Sequence, residues 1–447
     1  MALDPNVFKA YDVRGVYPSE LDEDGAYRIG RAYVEEFEPA RIAVGHDVRL
    51  SSPSMAAAVI HGATDGGADV VDAGMIGTEM LYFAVGSLAL DGGVAVTASH
   101  NPKEYTGMKI VRRGALPVGG DSGLQEIKHR AEAGFPEAGA GGEIREENVY
   151  PRWVEGVLSF VDPRAIEPLK VVIDAANGTA GVMLPPVLER LRVDADRCFF
   201  EPDGSFPNHE PNPLLPENRE FVVTRVLAQE ADLGVAFDGD ADRCFFVDDT
   251  GEFVPGDFLT ALLARAILSK EPGGRILYDV RASWAVPETI EAAGGEALVN
   301  RVGHAFFKQR MRKDGAVFGG EVSGHYYFRD FFQADSGVVP MLLVFELVSR
   351  EGKRLSELLA PFRERYFLTG EINMPVADVP LKLQEVKERF GPEGEVSHLD
   401  GISVTARDWH MNVRPSNTEP LLRLNLEARS RELMERKRDE VLAAIRS

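Results

Sequence analysis

The chain has 447 residues, of which 44% are hydrophobic and 27% charged; 49 Lys and Arg stand against 71 Asp and Glu, a net charge of −22. That charge repels nucleic-acid backbones and anionic lipid, so neither nucleic acid nor a membrane surface is expected as a partner. The composition is that of a folded globular protein, and the length suits roughly three or four domains of about 100–200 residues.

The N-terminal MALDPNVFKAYDVRG carries acids early and lacks the basic, apolar, small-residue order of a secretory signal. Three later segments share one pattern: RIAVGHDVRLSS from Arg41, KVVIDAANGTAG from Lys170 and RILYDVRASWAV from Arg275. Each is a β-branched apolar run reaching an Asp, then a polar turn, then small and apolar residues at helical spacing, which predicts strand, loop, helix. Their domain-sized separation predicts related α/β domains rather than a solenoid. Between the first two, Ala131 to Glu147 is rich in Gly, Ala and Glu and reads as exposed helix and loop. The boundaries place domains at 1–148, 149–250, 251–365 and 366–447. Gly337 to Val348 is far shorter than the ~20 apolar residues that span a bilayer and contains Glu346, so it reads as a buried helix. After Tyr366, alternation in Ile402 to Ala406 and Leu422 to Ala428, then the amphipathic run Glu432 to Ile445, predicts a small α+β domain. The two cysteines, Cys198 and Cys244, form no CxxC. That fits a reducing cytoplasm and excludes a disulfide framework.

Four loops carry chemistry. Asp238-Gly239-Asp240-Ala241-Asp242-Arg243 lies between the strand-like runs Leu233 to Phe237 and Cys244 to Val247. In extended chain the three acids share one side and converge. Their repulsion calls for a cation, and a hard all-oxygen site suits Mg²⁺. An EF-hand is excluded, because its closing Glu would fall at Asp249 and the flanks are strands. Thr97-Ala98-Ser99-His100-Asn101-Pro102, with Lys109 close behind, offers a loop hydroxyl beside a proton acceptor and a cation; taken alone, these residues favour a structural turn. Arg414-Pro415-Ser416-Asn417-Thr418-Glu419-Pro420 gathers a guanidinium, hydroxyls, an amide and backbone N–H groups, the donors a phosphate dianion needs. Gly319 to His325, after the strand-like Ala316 to Phe318, would if extended point Glu321, Ser323 and His325 to one side, toward sugar hydroxyls. Gly303 and His304 open a helix whose N-terminus could meet an anion.

Taken together with Lys9-Ala10-Tyr11-Asp12-Val13-Arg14-Gly15, these loops resemble, in order and over essentially the whole chain, the α-D-phosphohexomutase superfamily in its phosphomannomutase/phosphoglucomutase branch. The resemblance implies an α/β fold of three related domains with mixed sheets plus a smaller C-terminal α+β domain around a central cleft. It implies that Ser99 is phosphorylated and that Asp238, Asp240 and Asp242, with the Ser99 phosphate, hold one Mg²⁺ per chain. It makes Glu321 and Ser323 sugar readers, and Arg414, Ser416, Asn417 and Thr418 the grip on the non-reacting phosphate. Tyr11, Arg14, Lys109, Gly303, His304 and His325 match residues that bind substrate or assist proton transfer, with His100 and Arg243 beside the phosphoserine. The implied reaction interconverts hexose 1- and 6-phosphates through a 1,6-bisphosphate that reorients, with hexose 1,6-bisphosphate as activator. The protein would be cytoplasmic, a monomer or homodimer.

Arg281 departs from the pattern, which commonly has Lys; the charge stays but its geometry changes. Val322 and Asn417 stand where the phosphoglucosamine mutase branch usually has Gln and Gly, which favours mannose or glucose phosphates. The alternatives are that mutase, a sugar phosphatase using the same aspartates, and a non-catalytic sugar-phosphate binding protein.

Overall fold

Strands form where the β-branched apolar runs fall. In the computed structural model, which describes residues 3–135, 137, 139, 141–416 and 421–446, Arg41–His46 is a strand with Ile42 to Gly45 buried, and it leads to the helix Ser52–Asp65. Leu169–Asp174 and Arg275–Asp279 are the corresponding strands of the next two units. In each, an Asp at the strand end accepts, at Oδ1, the N–H two residues on: Asp47 from Arg49 at 3.0 Å, Asp174 from Ala176 at 2.8 Å and Asp279 from Arg281 at 2.8 Å. An aspartate bonded this way closes the turn that ends the strand.

The chain divides into two units, Met1–Val254 with Gly324–Leu355, and Pro255–Ser323 with Ser356–Ser447. The first unit holds two mixed sheets. One runs Val13–Val16, Tyr105–Arg112, Gly92–Val96, Arg41–His46, Asp69–Met75, Ile144–Glu146, with Leu116–Pro117 beside Tyr105–Arg112. Its three central strands are parallel, while Tyr105–Arg112 is antiparallel to both neighbours. Ile42, Val44, Val94, Val96, Met108 and Ile110 pack with Ile29, Tyr33 and Val59 of the helices Glu23–Phe37 and Ser52–Asp65. The other sheet runs Phe253–Val254, Cys244–Asp248, Leu233–Phe237, Leu169–Asp174, Val193–Cys198. Tyr326–Phe328 and Ala334–Asp335 form an antiparallel pair that leads into the helix Val338–Glu351. That helix is buried from Val338 to Val348, as its apolar run requires, and Glu346 within it accepts the Asp162 N–H at 3.1 Å.

In the second unit Glu296–Asn300, Arg275–Asp279 and Phe318–Gly320 are parallel neighbours. A five-stranded antiparallel sheet follows, in the order Phe367–Pro375, Leu421–Ala428, Trp409–Pro415, Ile402–Thr405, Glu395–Ser397. Its core joins Met411, Val413, Leu422 and Leu424 to Val386 and Phe390 of the helix Val379–Phe390 and to Met434, Val441 and Ile445 of the helix Arg431–Arg446. The architecture is α/β: three related domains with mixed sheets and a smaller C-terminal α+β domain. Among the described residues no helix is long and apolar enough to cross a membrane.

Three sequence expectations are refined. Ala131 to Glu147 holds, besides the end of the helix Gln125–Ala133, the strand Ile144–Glu146, parallel to Asp69–Met75. All three of its residues are exposed, so backbone pairing forms it without an apolar signal. The strand expected over Ala316 to Phe318 begins at Phe318 and runs to Gly320. The strands Phe367–Pro375 and Trp409–Pro415 add to the C-terminal domain's alternating segments.

Two buried carboxylates meet in the second unit. Asp257 accepts N–H groups from Phe258 at 2.9 Å and Ser283 at 3.1 Å, and Glu427 accepts the Trp284 N–H at 2.7 Å. Burial, then the charge of Glu427, pushes the Asp257 carboxyl up to about 7. The folded chain therefore keeps a proton that the unfolded chain releases near the ordinary value of 3.8, so stability falls as pH rises across that window. Thermal midpoints measured from about pH 5 to 7 should fall less steeply for Asp257→Asn than for wild type; equal slopes would contradict the assignment.

Candidate active site

The strand Gly92–Val96 ends in Thr97 and Ala98, and Ser99 follows with a φ of 50°, in the left-handed region that a non-glycine residue occupies at a cost of about 1–3 kcal/mol. Two groups hold it there. The Ser99 N–H donates to Thr97 Oγ1 at 2.9 Å, and its carbonyl accepts from Arg49 Nη2 at 2.8 Å. Arg49 is 1% exposed, also donates to the Asn101 and Pro102 carbonyls at 2.6 and 2.7 Å, and lies over the Phe206 ring at 5.1 Å. Sequence reasoning passed over Arg49; the signal was the Asp-Val-Arg that the Arg41 and Arg275 segments share at 47–49 and 279–281. Arg14, on Val13–Val16, donates to the Ala98 carbonyl at 3.2 Å and to the Asn101 side chain. Tyr11 sits half-buried in the bend before that strand.

The acidic loop brings its carboxylates together, but by a turn and not by the extended chain the alternation predicts. Residues 239–242 bend, and Ala241 has a φ of 58°. The turn can lie against the serine loop because Gly239 has no side chain: a Cβ there would lie 2.5 Å from the Ser99 carbonyl oxygen. The two loops are thus in direct contact, and Ser99 Oγ donates to Asp238 Oδ2 at 2.8 Å. Arg243 Nε donates to the same oxygen at 2.9 Å, and Lys109 Nζ donates to Asp240 Oδ2 at 2.7 Å and to Asp242 Oδ2.

Electrostatics in this cluster is unbalanced. Burial, then the charge of Asp240, pushes Asp242 well above the usual carboxylate range. Burial raises Asp238 too, against Arg243. Burial opposes ionisation of Asp240 as well, but Lys109 outweighs it and holds that carboxyl low. Asp240 Oδ1 and Asp242 Oδ1 are buried with no hydrogen-bond partner among the described residues. Oxygens of all three aspartates lie within 4.8 Å of one another. Two orphaned carboxylate oxygens in an all-oxygen donor set fit a hard divalent cation such as Mg²⁺.

Five more residues border the cluster. His100 Nδ1 is 3.2 Å from Ser99 Oγ, and burial, then Arg243 and Arg14, holds its imidazole well below its ordinary value, so the ring is neutral. His325 Nε2 is 3.9 Å from Asp242 Oδ1, and Asp335, which the sequence reading passed over, offers an oxygen within 4.8 Å of both. Thr78 and Thr97 donate to Asp240 Oδ2 at 2.5 and 3.2 Å.

The residues of the second unit form a separate constellation. Glu321, Ser323 and His325 do not line one side of an extended strand: residues 322–324 turn, Gly324 has a φ of 87°, and His325 belongs to the first unit. Glu321 is buried and accepts the Gly303 N–H at 2.9 Å, where the helix His304–Asp314 begins. The Val322 N–H donates to Asp279 Oδ2 at 2.9 Å. Arg281 grips the Asp279 carboxylate through Nε at 2.9 Å and Nη2 at 2.8 Å, and its Nη1 lies 3.5 Å from Glu371. Glu371, also missed from sequence, is shared with Arg414 at 3.3 Å and Arg423 at 2.8 Å. It follows Gly370, whose φ of 68° marks the bulge that interrupts the strand register there. Ser416 Oγ accepts from Arg423 at 3.4 Å. Asn417 and Thr418 lie outside the described residues.

Models of the phosphoglucomutase/phosphomannomutase domains match the chain in order: alpha/beta/alpha domain I over residues 5–136, domain II over 151–251, domain III over 255–366 and the C-terminal domain over 371–444. The chain is 44% identical over 450 residues to a protein of Salmonella montevideo named phosphomannomutase, covering 98% of this chain and 99% of that protein. It is 46% identical over 426 residues to a protein of Xanthomonas campestris named phosphohexose mutases, covering 94% and 95%. Among solved structures it is similar to a phosphoglucomutase/phosphomannomutase family protein from Burkholderia thailandensis, with a TM-score of 0.91, 33% identity and coverage of 99% and 97%.

Lys109 is the cation that now compensates Asp240 and Asp242. Lys109→Met should destabilise the divalent-free protein by about 3–5 kcal/mol, the usual result of stripping one partner from a buried pair. Added Mg²⁺ should then raise the melting midpoint of the variant more than that of wild type. An equal Mg²⁺ effect on both would argue against a cation at these carboxylates.

Proposed function

The chain belongs to the phosphoglucomutase/phosphomannomutase family, and from that premise we propose that it interconverts the 1- and 6-phosphates of mannose, glucose or both, with Ser99 as the phosphoryl carrier. One observation carries the reading. Ser99 Oγ is held in a left-handed turn 2.8 Å from a buried aspartate, in a cluster where two further carboxylate oxygens await a cation.

Asp238, Asp240 and Asp242, with an oxygen on Ser99, would hold Mg²⁺. When bound, Mg²⁺ supplies Lewis-acid neutralisation of the charge on a phosphoryl group. The chain's own residues do the rest. Arg49 and Thr97 keep Ser99 in its turn, so little reorganisation is needed when it reacts. Arg243 and Lys109 answer the roughly −1.5 to −2 charge that a phosphoserine adds. In the first transfer a sugar hydroxyl forms a new P–O bond as the Ser99 Oγ–P bond breaks. The hydroxyl proton leaves to a base, for which His325 is the candidate; Ser99 Oγ leaves as an oxyanion beside Arg243 and Lys109 and takes up that proton from the protonated base, while His100, neutral, orients Oγ through Nδ1 at 3.2 Å. The product is a hexose 1,6-bisphosphate.

Arg281, Arg414, Ser416, Asn417 and Thr418 would hold the phosphate that is not reacting, while Tyr11, Arg14, Gly303, His304, Glu321 and Ser323 orient the sugar. Groups that recognise a phosphate rather than a particular carbon can hold either end of a bisphosphate, so the intermediate can turn and return its other phosphate to Ser99. Catalysis of this kind is positioning and charge neutralisation. The same logic makes hexose 1,6-bisphosphate an activator, since it recharges a dephosphorylated Ser99.

The test is turnover of mannose 1-phosphate and glucose 1-phosphate in the presence of glucose 1,6-bisphosphate. Ser99→Ala should lower kcat/KM at least about 10³-fold for both sugars, as removal of a covalent nucleophile does. Wild-type turnover in the variant would remove Ser99 from the mechanism. The ratio of kcat/KM values for mannose, glucose and glucosamine phosphates assigns the substrate.

A further inference from the structure

We propose that Thr78 is a positioning residue for Asp240: its hydroxyl holds Asp240 Oδ2 so that Oδ1 is left to meet a divalent cation. The inference rests on the metal reading given above. Thr78 opens the helix Thr78–Ser87 and lies outside every motif that the sequence singles out. It is 1% exposed and reaches Asp240 twice, the N–H donating to the Asp240 carbonyl at 3.0 Å and the hydroxyl to Oδ2 at 2.5 Å. One residue thereby fixes both the main chain and the carboxylate rotation of the middle aspartate.

The residues on either side of Thr78 make that hold rigid. A Cβ at Gly77 would lie 2.9 Å from the Asp240 carbonyl oxygen and 2.3 Å from Met183 Sδ, so the helix start is pressed against the acidic loop. Glu79 is fully buried, accepts from Trp153 Nε1 at 2.8 Å, and receives Ser336 Oγ, the Gly337 N–H and the Val338 N–H at 2.7, 2.8 and 3.1 Å. Gly337 packs on the acidic loop in turn, since a Cβ there would lie 2.6 Å from the Ala241 carbonyl oxygen. The loop is gripped on two sides by elements that residues 77–79 join.

Three donors converge on Asp240 Oδ2, namely Thr78, Lys109 and Thr97, while Oδ1 has none among the described residues. Lys109 also serves Asp242, and its charge is needed by a phosphate on Ser99. Thr97 also accepts the Ser99 N–H and belongs to that loop. Thr78 is neutral, anchored on a helix, and independent of whether Ser99 carries phosphate. Outer partners of this kind set ligand orientation, and their removal commonly weakens metal binding about 10–100-fold.

The experiment is a Mn²⁺ titration of the full-length, dephosphorylated protein, with free Mn²⁺ read by electron paramagnetic resonance. Thr78→Val keeps the shape and removes the donor, so its Kd should rise about tenfold or more, and Thr78→Ala should lose as much without the added methyl contact. Thr78→Ser keeps the hydroxyl and should stay within about twofold of wild type. Wild-type binding with unchanged affinity in Thr78→Val and Thr78→Ala would overturn the positioning role while leaving the metal reading intact. Equal losses in Thr78→Ser and Thr78→Val would assign the effect to packing and overturn it as well. A wild-type protein that binds no Mn²⁺ would instead remove the metal reading, and this inference with it.

Discussion

Three carboxylates buried in one short turn repel one another, and the rest of the first unit's site is arranged around that repulsion. Removing charges from water is costly, so such a cluster persists only where cations and hydrogen-bond donors compensate it. Lys109 and Arg243 provide two positive charges, and Thr78, Thr97 and Ser99 provide neutral donors. What they leave uncompensated, Asp240 Oδ1 and Asp242 Oδ1, is what a divalent cation would take. The serine loop is brought to this place by contact between backbones, since only a glycine at 239 lets the Ser99 carbonyl approach.

The second unit meets the opposite problem. Arg281, Arg414 and Arg423 gather positive charge around the carboxylate of Glu371, and Asp279 and Glu321 also lie against Arg281. Three guanidinium groups so close together in a chain of net charge −22 are a local concentration of positive charge.

Much of this was legible in the sequence, for identifiable reasons. The three Asp-terminated runs carried strong β-branched signals, and all three are strands. Buried helix Val338–Glu351 was marked by its continuous apolar run. Asp238, Asp240, Asp242 and Arg243 stood out by loop chemistry, while for Ser99 and Lys109 the loop alone favoured a turn and the family resemblance singled them out; all six do meet in space. Residues whose role is to hold others were not legible. Arg49 works through carbonyl oxygens, which no side-chain pattern records, and Thr78 acts on a residue 162 positions away. The turn at 239–242 and the turn at 322–324 replaced the expected extended segments: Ala241 and Gly324 take left-handed φ values of 58° and 87°, which an alternating pattern does not record. Ile144–Glu146 was hidden because an exposed edge strand needs no apolar side chains.

The central claim is that Ser99 passes its phosphoryl group to a sugar and not to water. It is tested most directly by charging the protein with radiolabelled phosphate from labelled glucose 1,6-bisphosphate, mapping the labelled residue, and mixing the charged protein with excess mannose 1-phosphate in a rapid-quench experiment. Label is expected on Ser99, moving first into mannose 1,6-bisphosphate and then into mannose 6-phosphate. Label on another residue, or label released as inorganic phosphate at the rate the sugar is consumed, would contradict that claim.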